Sequence, residues 1–474
     1  VILAVLAPLL LAAVAFALPR PALRPPMLVV GALLHAAGVA QLWTLSTTPR
    51  PGAWLAIDAP GLLAITTTSA LFLVCAVYAQ GYLARRRDRD NRSFVSGLLL
   101  LLGAVTVVAL SQHMGLLWVA IEITTLSTAQ LIYFNRNQRS LEAAWKYLVV
   151  CSVGIAMALL GTFLLALASA APGGPRTLVV EDLAAAGSTL SGPWLRAAFV
   201  FMLAGYGTKM GLAPFHAWKP DAYGEAPGLL GALLSGGVTS VAFVALVRML
   251  RVCNAAGEGP FARQGLVAIG LLSLGLASLF VIGQRDFKRL LAYSSVEHMG
   301  ILVLGVGIGG AAATGAFFHL VTNGLTKGVL FLAAGNIHRA FGSKRTEVVR
   351  GAARLLPVSG PVFLVAFLAI TGSPPFAPFF SEFAILYGAV KAGAFVSAAV
   401  FLLCLSVIFV GMGATILGVV QGAPPEDLRT TSFGDSLLTA GPPLALMAAV
   451  LALGLWVPAP LRALFEAAAA GIGG

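Results

Sequence analysis

Apolar residues along this chain follow neither the strict alternation of a half-buried strand nor the narrow stripe of a soluble amphipathic helix. They come in runs of about twenty residues separated by short polar breaks, the length a helix needs to cross a bilayer. Fourteen spans are predicted, over 2–18, 27–46, 58–83, 96–111, 114–134, 142–171, 195–216, 228–250, 264–283, 290–310, 313–338, 361–390, 394–420 and 437–457. Only the connections 172–194 and 339–360 approach twenty residues, so no soluble domain is expected. The first run, opening at Val1, reads as a first span, with a signal peptide as the alternative. The tail after Pro460 is short, with no long amphipathic helix expected. The pattern predicts an all-α integral membrane protein of about 14 transmembrane helices.

Two spans are interrupted in the same way. Gly211–Phe215 (GLAPF) lies in span 7 and Gly372–Phe376 (GSPPF) in span 12. Proline removes a backbone donor and clashes with the preceding turn, so two broken helices are predicted. The copies are five spans apart, and an odd offset makes them face opposite ways across the membrane. Paired broken helices in inverted repeats mark the midplane sites of transporters. The predicted organisation is an N-terminal three-helix segment (1–95), a first inverted five-helix repeat of spans 4–8 (96–251), and a second of spans 9–13 (262–420). A last span and tail (437–474) complete it.

Composition agrees: 59% of residues are hydrophobic, 10% are charged, and the mean hydropathy is +0.93. A net charge of +12 could suggest nucleic acid, but the distribution points elsewhere. Loops after odd-numbered spans hold 20 of the 30 Lys and Arg, among them Arg85, Arg87, Lys219 and Arg429. The other loops and the tail hold 8, and Lys209 and Lys327 lie inside spans. By the positive-inside rule the odd loops face the cytoplasm and both termini the outside of a bacterial or archaeal inner membrane. Cys75, Cys151, Cys253 and Cys404 stand singly and far apart, which disfavours iron–sulfur and zinc sites. There is no dinucleotide fingerprint or P-loop, so no cofactor and no bond chemistry are expected in this chain.

The candidate chemistry lies in ionisable residues at membrane depth, which are costly unless they work. Lys209 sits in an apolar run just before the first break, and Glu122, in mid-span 5, is its expected partner. A pair that opens and closes toggles a lysine between holding and releasing a proton. Span 10 carries Ser294, Ser295, Glu297 and His298. Span 11 carries His319, Asn323 and Lys327 at i, i+4 and i+8, one helix face with about 12 Å of rise. Glu382 follows the second break. No metal site is expected, because His298 and His319 are on different spans and Glu297 is expected to point off the His298 face.

The stretches GYGTKMGLAPFHAWKPDAYGEAP, RDFKRLLAYSSVEHMGI, HLVTNGLTKGVLFLAAGNI and SPPFAPFFSEFAIL resemble the antiporter-like, proton-translocating membrane subunits. These occur in respiratory complex I, Mrp-type cation/proton antiporters and membrane-bound nickel–iron hydrogenases. The resemblance covers about residues 60–420 and is closest to the component F type of hydrogenase-4 complexes. It implies that Glu122 is the family's span-5 glutamate, Lys209 the span-7 lysine, and Lys327 the span-11 lysine with His319 ahead of it. Glu382 takes the outward-exit position and His298 a span-10 histidine position. His216, Asp221 and Glu225 fall in the stretch after the first break, and Lys146 matches a lysine near the cytoplasmic mouth. One position departs: Ser240 stands where many members carry a span-8 lysine or histidine, and a hydroxyl cannot hold a charge.

The resemblance implies a proton-translocating subunit of a redox-driven complex, its partners being other membrane-arm subunits, a soluble redox module and lipid, with no nucleic acid. The expected path runs from Lys146 or the span 7–8 loop to Lys209, then by water, Ser240 and His298 or His319 to Lys327 and Glu382. One alternative is a sodium/proton antiporter subunit, with Glu122, Thr124, Thr125 and Ser127 as oxygen ligands. Another is a structural or coupling subunit that moves no protons.

Overall fold

Glycine, proline and a few capping side chains decide where each helix starts and stops. The computed structural model describes residues 2–86, 89–424, 431 and 433–473; Arg87 and Arg429, two of the loop cations counted above, lie outside them. The helices are α1 (Ile2–Ala17), α2 (Arg24–Leu42), α3 (Ala59–Ala84), α4 (Arg92–Leu110), α5 (Met114–Ile132) and α6 (Gln138–Ser169). There follow α7 (Gly192–Met210), α8 (Trp218–Glu225), α9 (Gly228–Ala255), α10 (Gly259–Val281), α11 (Phe287–Ile308) and α12 (Gly310–Phe341). The last are α13 (Ser359–Ile370), α14 (Ala377–Lys391), α15 (Phe395–Val420), α16 (Leu437–Leu455) and α17 (Ala459–Ala470). Two further short helices, Val180–Ala185 and Ala352–Leu355, lie in connections, and no strand forms among the described residues beyond isolated bridges.

Eleven of these helices are long and apolar enough to cross a membrane, and α1 and α13 are shorter apolar helices. The chain is a multi-pass membrane protein. Helices α9 and α12 are buried all round, whereas α10, α15 and α16 bury only part of their surface. Their outward Leu279, Leu403 and Val410 make an apolar face suited to lipid. The tail, in which no long amphipathic helix was expected, forms the 12-residue α17 and packs against α3 and α12.

Caps account for several starts. Asp58 accepts from the Gly61 N–H at 2.9 Å to open α3, Asn137 and Ser140 form a reciprocal box at α6, and Asp286 caps α11. Asp58 also takes a bidentate pair from the buried Arg248, at 2.8 and 2.9 Å. The same guanidinium donates to the carbonyls of Val108, Ala109 and Ser111. A buried charge tied this fully is satisfied, so Arg248 is a clamp joining α9 to the ends of α3 and α4.

Both predicted breaks are present. Helix α7 stops at Gly211 (φ 74°), and α8 starts at Trp218. Helix α13 stops before Gly372 (φ 74°), and α14 starts at Ala377. That left-handed backbone suits glycine. Ala213–Pro214 and Pro374–Pro375 are both cis. At the first break, Ser273 of α10 accepts from the Ala213 N–H at 2.9 Å and Trp218 Nε1 donates to the Thr208 carbonyl at 2.8 Å. Backbone freed at membrane depth needs such partners.

Candidate functional site

Lys209 occupies the last turn of α7 and is 1% exposed. Its ammonium donates to Thr125 Oγ1 of α5 at 2.8 Å and to the Tyr147 hydroxyl of α6 at 2.7 Å, with the tyrosine ring centre 5.0 Å away. The expected pairing with Glu122 differs in detail. Glu122 is half-buried, its Oε1 accepts from Ser152 of α6 at 3.2 Å, and its Oε2 has no hydrogen-bond partner among the described residues. No ion pair joins it to Lys209, because two hydroxyls hold the amine instead. Tyr147 went unremarked in the sequence; on α6 it points into the bundle, fully buried, while its neighbour Lys146 points to the exposed rim.

The second half is denser. Lys327 on α12 donates to Ser294 Oγ of α11 at 2.6 Å, and Ser294 donates to Glu297 Oε2 at 3.3 Å. His298 Nε2 lies 3.8 Å from that carboxylate, so Glu297 joins the His298 cluster and does not turn away from it as expected. His298 Nδ1 is 3.0 Å from His319 Nε2, and His319 Nδ1 is 2.9 Å from Ser381 Oγ of α14. Glu382 Oε1 stands 4.0 Å from His298 Nδ1. The other oxygen of Glu382 packs over Gly372, where a methyl group would meet it at 2.4 Å. Asn323 is buried with neither amide atom hydrogen-bonded among the described residues. Lys327 thus reaches across to α11, not along its own helix face.

Helices α11 and α12 pack side by side, so the two histidines meet although they lie on different spans. With Glu382 they place three possible ligand atoms within 4.8 Å of one another, which removes the spacing argument against a metal. The two facing nitrogens are nevertheless spent on a hydrogen bond to each other, an arrangement in which one holds the proton and the other accepts it. That is relay geometry.

Between the halves, Ser235 Oγ and Ser295 Oγ are 3.2 Å apart, Ser235 lying in a π-turn of α9 at Leu234–Val238. Ser240 is buried, but its hydroxyl donates to the Gly236 carbonyl of its own helix at 2.8 Å. Such back-bonding occupies the donor locally, so the expected bridge at Ser240 is not made by its proton. Lys219, assigned above to a surface loop, is instead 0% exposed and donates to the Ser295 carbonyl at 3.1 Å. The signal that could have found it is the break itself, which folds the next residues back into the bundle.

The remaining candidates are peripheral. Lys146, 45% exposed, pairs with Glu142 at 2.6 Å and Asp221 at 3.2 Å. Asp221 also pairs with Arg289 at 2.8 Å, and Glu225 with Lys344 at 2.5 Å. They form an ion-pair rim around α8. His216 is half-buried beside the rings of Phe280 and Tyr293.

Residues 111–409, most of this bundle including both breaks, match the family described as "NADH:quinone oxidoreductase/Mrp antiporter, TM". The chain belongs to that family. Among curated proteins this antiporter-like subunit is 35% identical over 436 residues to a hydrogenase-4 component F homolog of Methylacidiphilum infernorum, covering 89% of each chain. It is 34% identical over 368 residues to NADH-quinone oxidoreductase subunit N of Desulforudis audaxviator, covering 76% of this chain and 71% of that one. Among solved structures it resembles a chain of the Mrp complex from Dietzia sp. DQ12-45-1b, with a TM-score of 0.88, 22% identity, and coverage of 99% and 97%. That last likeness speaks for the fold alone. The family resemblance read from the motifs therefore holds, and this is an antiporter-like membrane subunit of the complex I, hydrogenase and Mrp group.

Proposed function

We propose that this subunit carries protons through the row Glu122, Lys209, Ser295, Ser294, Lys327, Glu297, His298, His319 and Glu382, driven by a redox reaction in partner subunits. The observation that carries the reading is how the two lysines are held. Lys209 and Lys327 are each buried at membrane depth and bound by hydroxyls, with no carboxylate in ion-pair range among the described residues. A structural lysine would be pinned by a carboxylate; an amine held by hydroxyls accommodates both of its protonation states. Moving a charge across the potential is worth about 2.3 kcal/mol per 100 mV, the scale on which one such site can be switched.

Adding α1, α7 with its break, and α13 with α14 as one broken span brings the eleven long helices to fourteen. We take spans 4–8 and 9–13 as inverted repeats, with odd loops cytoplasmic, both termini outside, and Lys146, Asp221 and Glu225 at the entrance. Partners are other membrane-arm subunits and a soluble redox module, as in the complexes of its relatives.

The sodium alternative is less well supported. Thr124, Thr125 and Ser127 donate to carbonyls of their own helix, Ile121 at 2.6 and 3.3 Å and Thr124 at 3.1 Å, and Thr125 Oγ1 also accepts from Lys209, which sets a competing amine at one of the oxygens that sodium would need. The test is Lys209→Met in the intact complex, reconstituted in vesicles with a pH-sensitive dye. Coupled proton uptake should be lost. Uptake at the wild-type rate would instead make this a coupling subunit that moves no protons, and strict sodium dependence would revive the antiporter.

A further inference from the structure

Lys219 holds a position that the path above leaves unassigned. Helix α8 packs against α6 on one side and α11 on the other, so it spans the gap between the two halves of the row. The Lys219 side chain lies back over the first break. A methyl group on Gly211 would meet its Cδ at 2.5 Å and its Nζ at 3.1 Å, which sets the amine beside the chain just past Lys209. The same amine donates to the Ser295 carbonyl at 3.1 Å and faces the Tyr223 ring at 5.8 Å. Ser294, the preceding residue, holds Lys327 at 2.6 Å. One stretch of α11 therefore touches both Lys219 and Lys327.

No carboxylate forms an ion pair with Lys219 among the described residues. A backbone carbonyl accepts an N–H from an ammonium or from a neutral amine, so nothing at this site fixes the charge. A buried cation without a fixed counter-charge is a poor structural device. Ser240, at the span-8 position where a titratable group was missing, gives its proton to its own helix and can hold no charge.

We propose that Lys219 is the central proton carrier of this subunit, supplying from the segment after the break the amine that span 8 lacks. A proton arriving from the Lys209 side converts the Lys219 amine to an ammonium. Its departure towards Ser295 and Lys327 restores the amine, and no other bond changes. The inference rests on the reading of the chain as a proton carrier.

The experiment compares Lys219→Gln with Lys209→Met in the assembled complex, reading dye-detected proton uptake and subunit content. Glutamine keeps an N–H for the Ser295 carbonyl but does not titrate, so a merely structural tie would survive it. Lys219→Gln is expected to assemble and to lose uptake, as Lys209→Met does. Uptake retained in Lys219→Gln but lost in Lys209→Met overturns the role of Lys219 and leaves the wider reading standing. Uptake retained in both overturns the two together. Should Lys219→Gln not assemble, Lys219→His decides. Its lower intrinsic pKa should abolish uptake or move the pH profile of uptake to lower pH, whereas the wild-type profile would overturn the proposal.

Discussion

At the scale of single residues, the groups proposed to carry protons are amines matched with hydroxyls. Tyr147 gives Lys209 the shorter of its two hydrogen bonds, 2.7 Å against 2.8 Å from Thr125. A hydrogen bond to a charged group contributes roughly 1.5–3 kcal/mol, and each 1.4 kcal/mol is about tenfold in a rate. Tyr147→Phe keeps the ring that packs edge-on against Trp218 and removes the hydroxyl alone. Proton uptake should fall about tenfold or more while the complex assembles normally. An unchanged rate would mean that Thr125 alone suffices to hold Lys209. The lysines of this network were legible in the sequence because a charge inside an apolar run is conspicuous. Tyr147 was not, since a tyrosine on an apolar helix looks like packing until its hydroxyl is seen to face an amine. Lys219 was misread for another reason: the break hinted that the chain folds back, but hydropathy alone placed the polar residues after it in a loop.

At the scale of elements, the first break lets Lys209 of α7 reach α5 and α6 while Lys219 of α8 reaches α11, and it stands only because its freed backbone groups are satisfied. Ser273, from α10, is the outside partner of the Ala213 N–H and also donates to the Ile269 carbonyl of its own helix. Ser273→Ala would leave a buried N–H unpaired at a cost of about 1–3 kcal/mol. The purified complex should unfold at a lower temperature, and proton uptake should fall because α8 carries both Trp218 and Lys219. Unchanged thermal stability would show that the Ala213 N–H finds another acceptor. The breaks themselves were legible, because glycine followed by proline at matching places in two spans admits few other readings. The partner across the break was not, since Ser273 reads as one more small polar residue in an apolar helix. The short helix Val180–Ala185, within the 172–194 connection, escaped notice because six residues carry too little periodicity.

At the scale of the molecule, the number of crossings and their direction can be tested together. The lysines and arginines divide 20 to 8 between the two sets of loops, a bias that orients the first spans as the chain inserts. Three of the 8 (Arg196, Arg248 and Arg251) are paired with Glu258, Asp58 and Glu181, as Lys146, Arg289 and Lys344 among the 20 are paired with carboxylates, so ion pairing does not remove the bias. Between the connection at Asn137 and the C-terminus the proposed topology has nine crossings, one of them the broken α13–α14 span. An odd number puts these two points on opposite sides. A cysteine at Gln138, exposed at the start of α6, should therefore resist membrane-impermeant maleimide applied to whole cells. Alkaline phosphatase fused at the C-terminus should be active, and green fluorescent protein fused there should be dark. If both points report the same side, one proposed span does not cross, and the broken pair α13 and α14, each too short to span alone, is where the path would have to turn back. If both report the side opposite to that expected, the direction is reversed while the count stands, and protons would enter the row at Glu382 and leave it at Lys146.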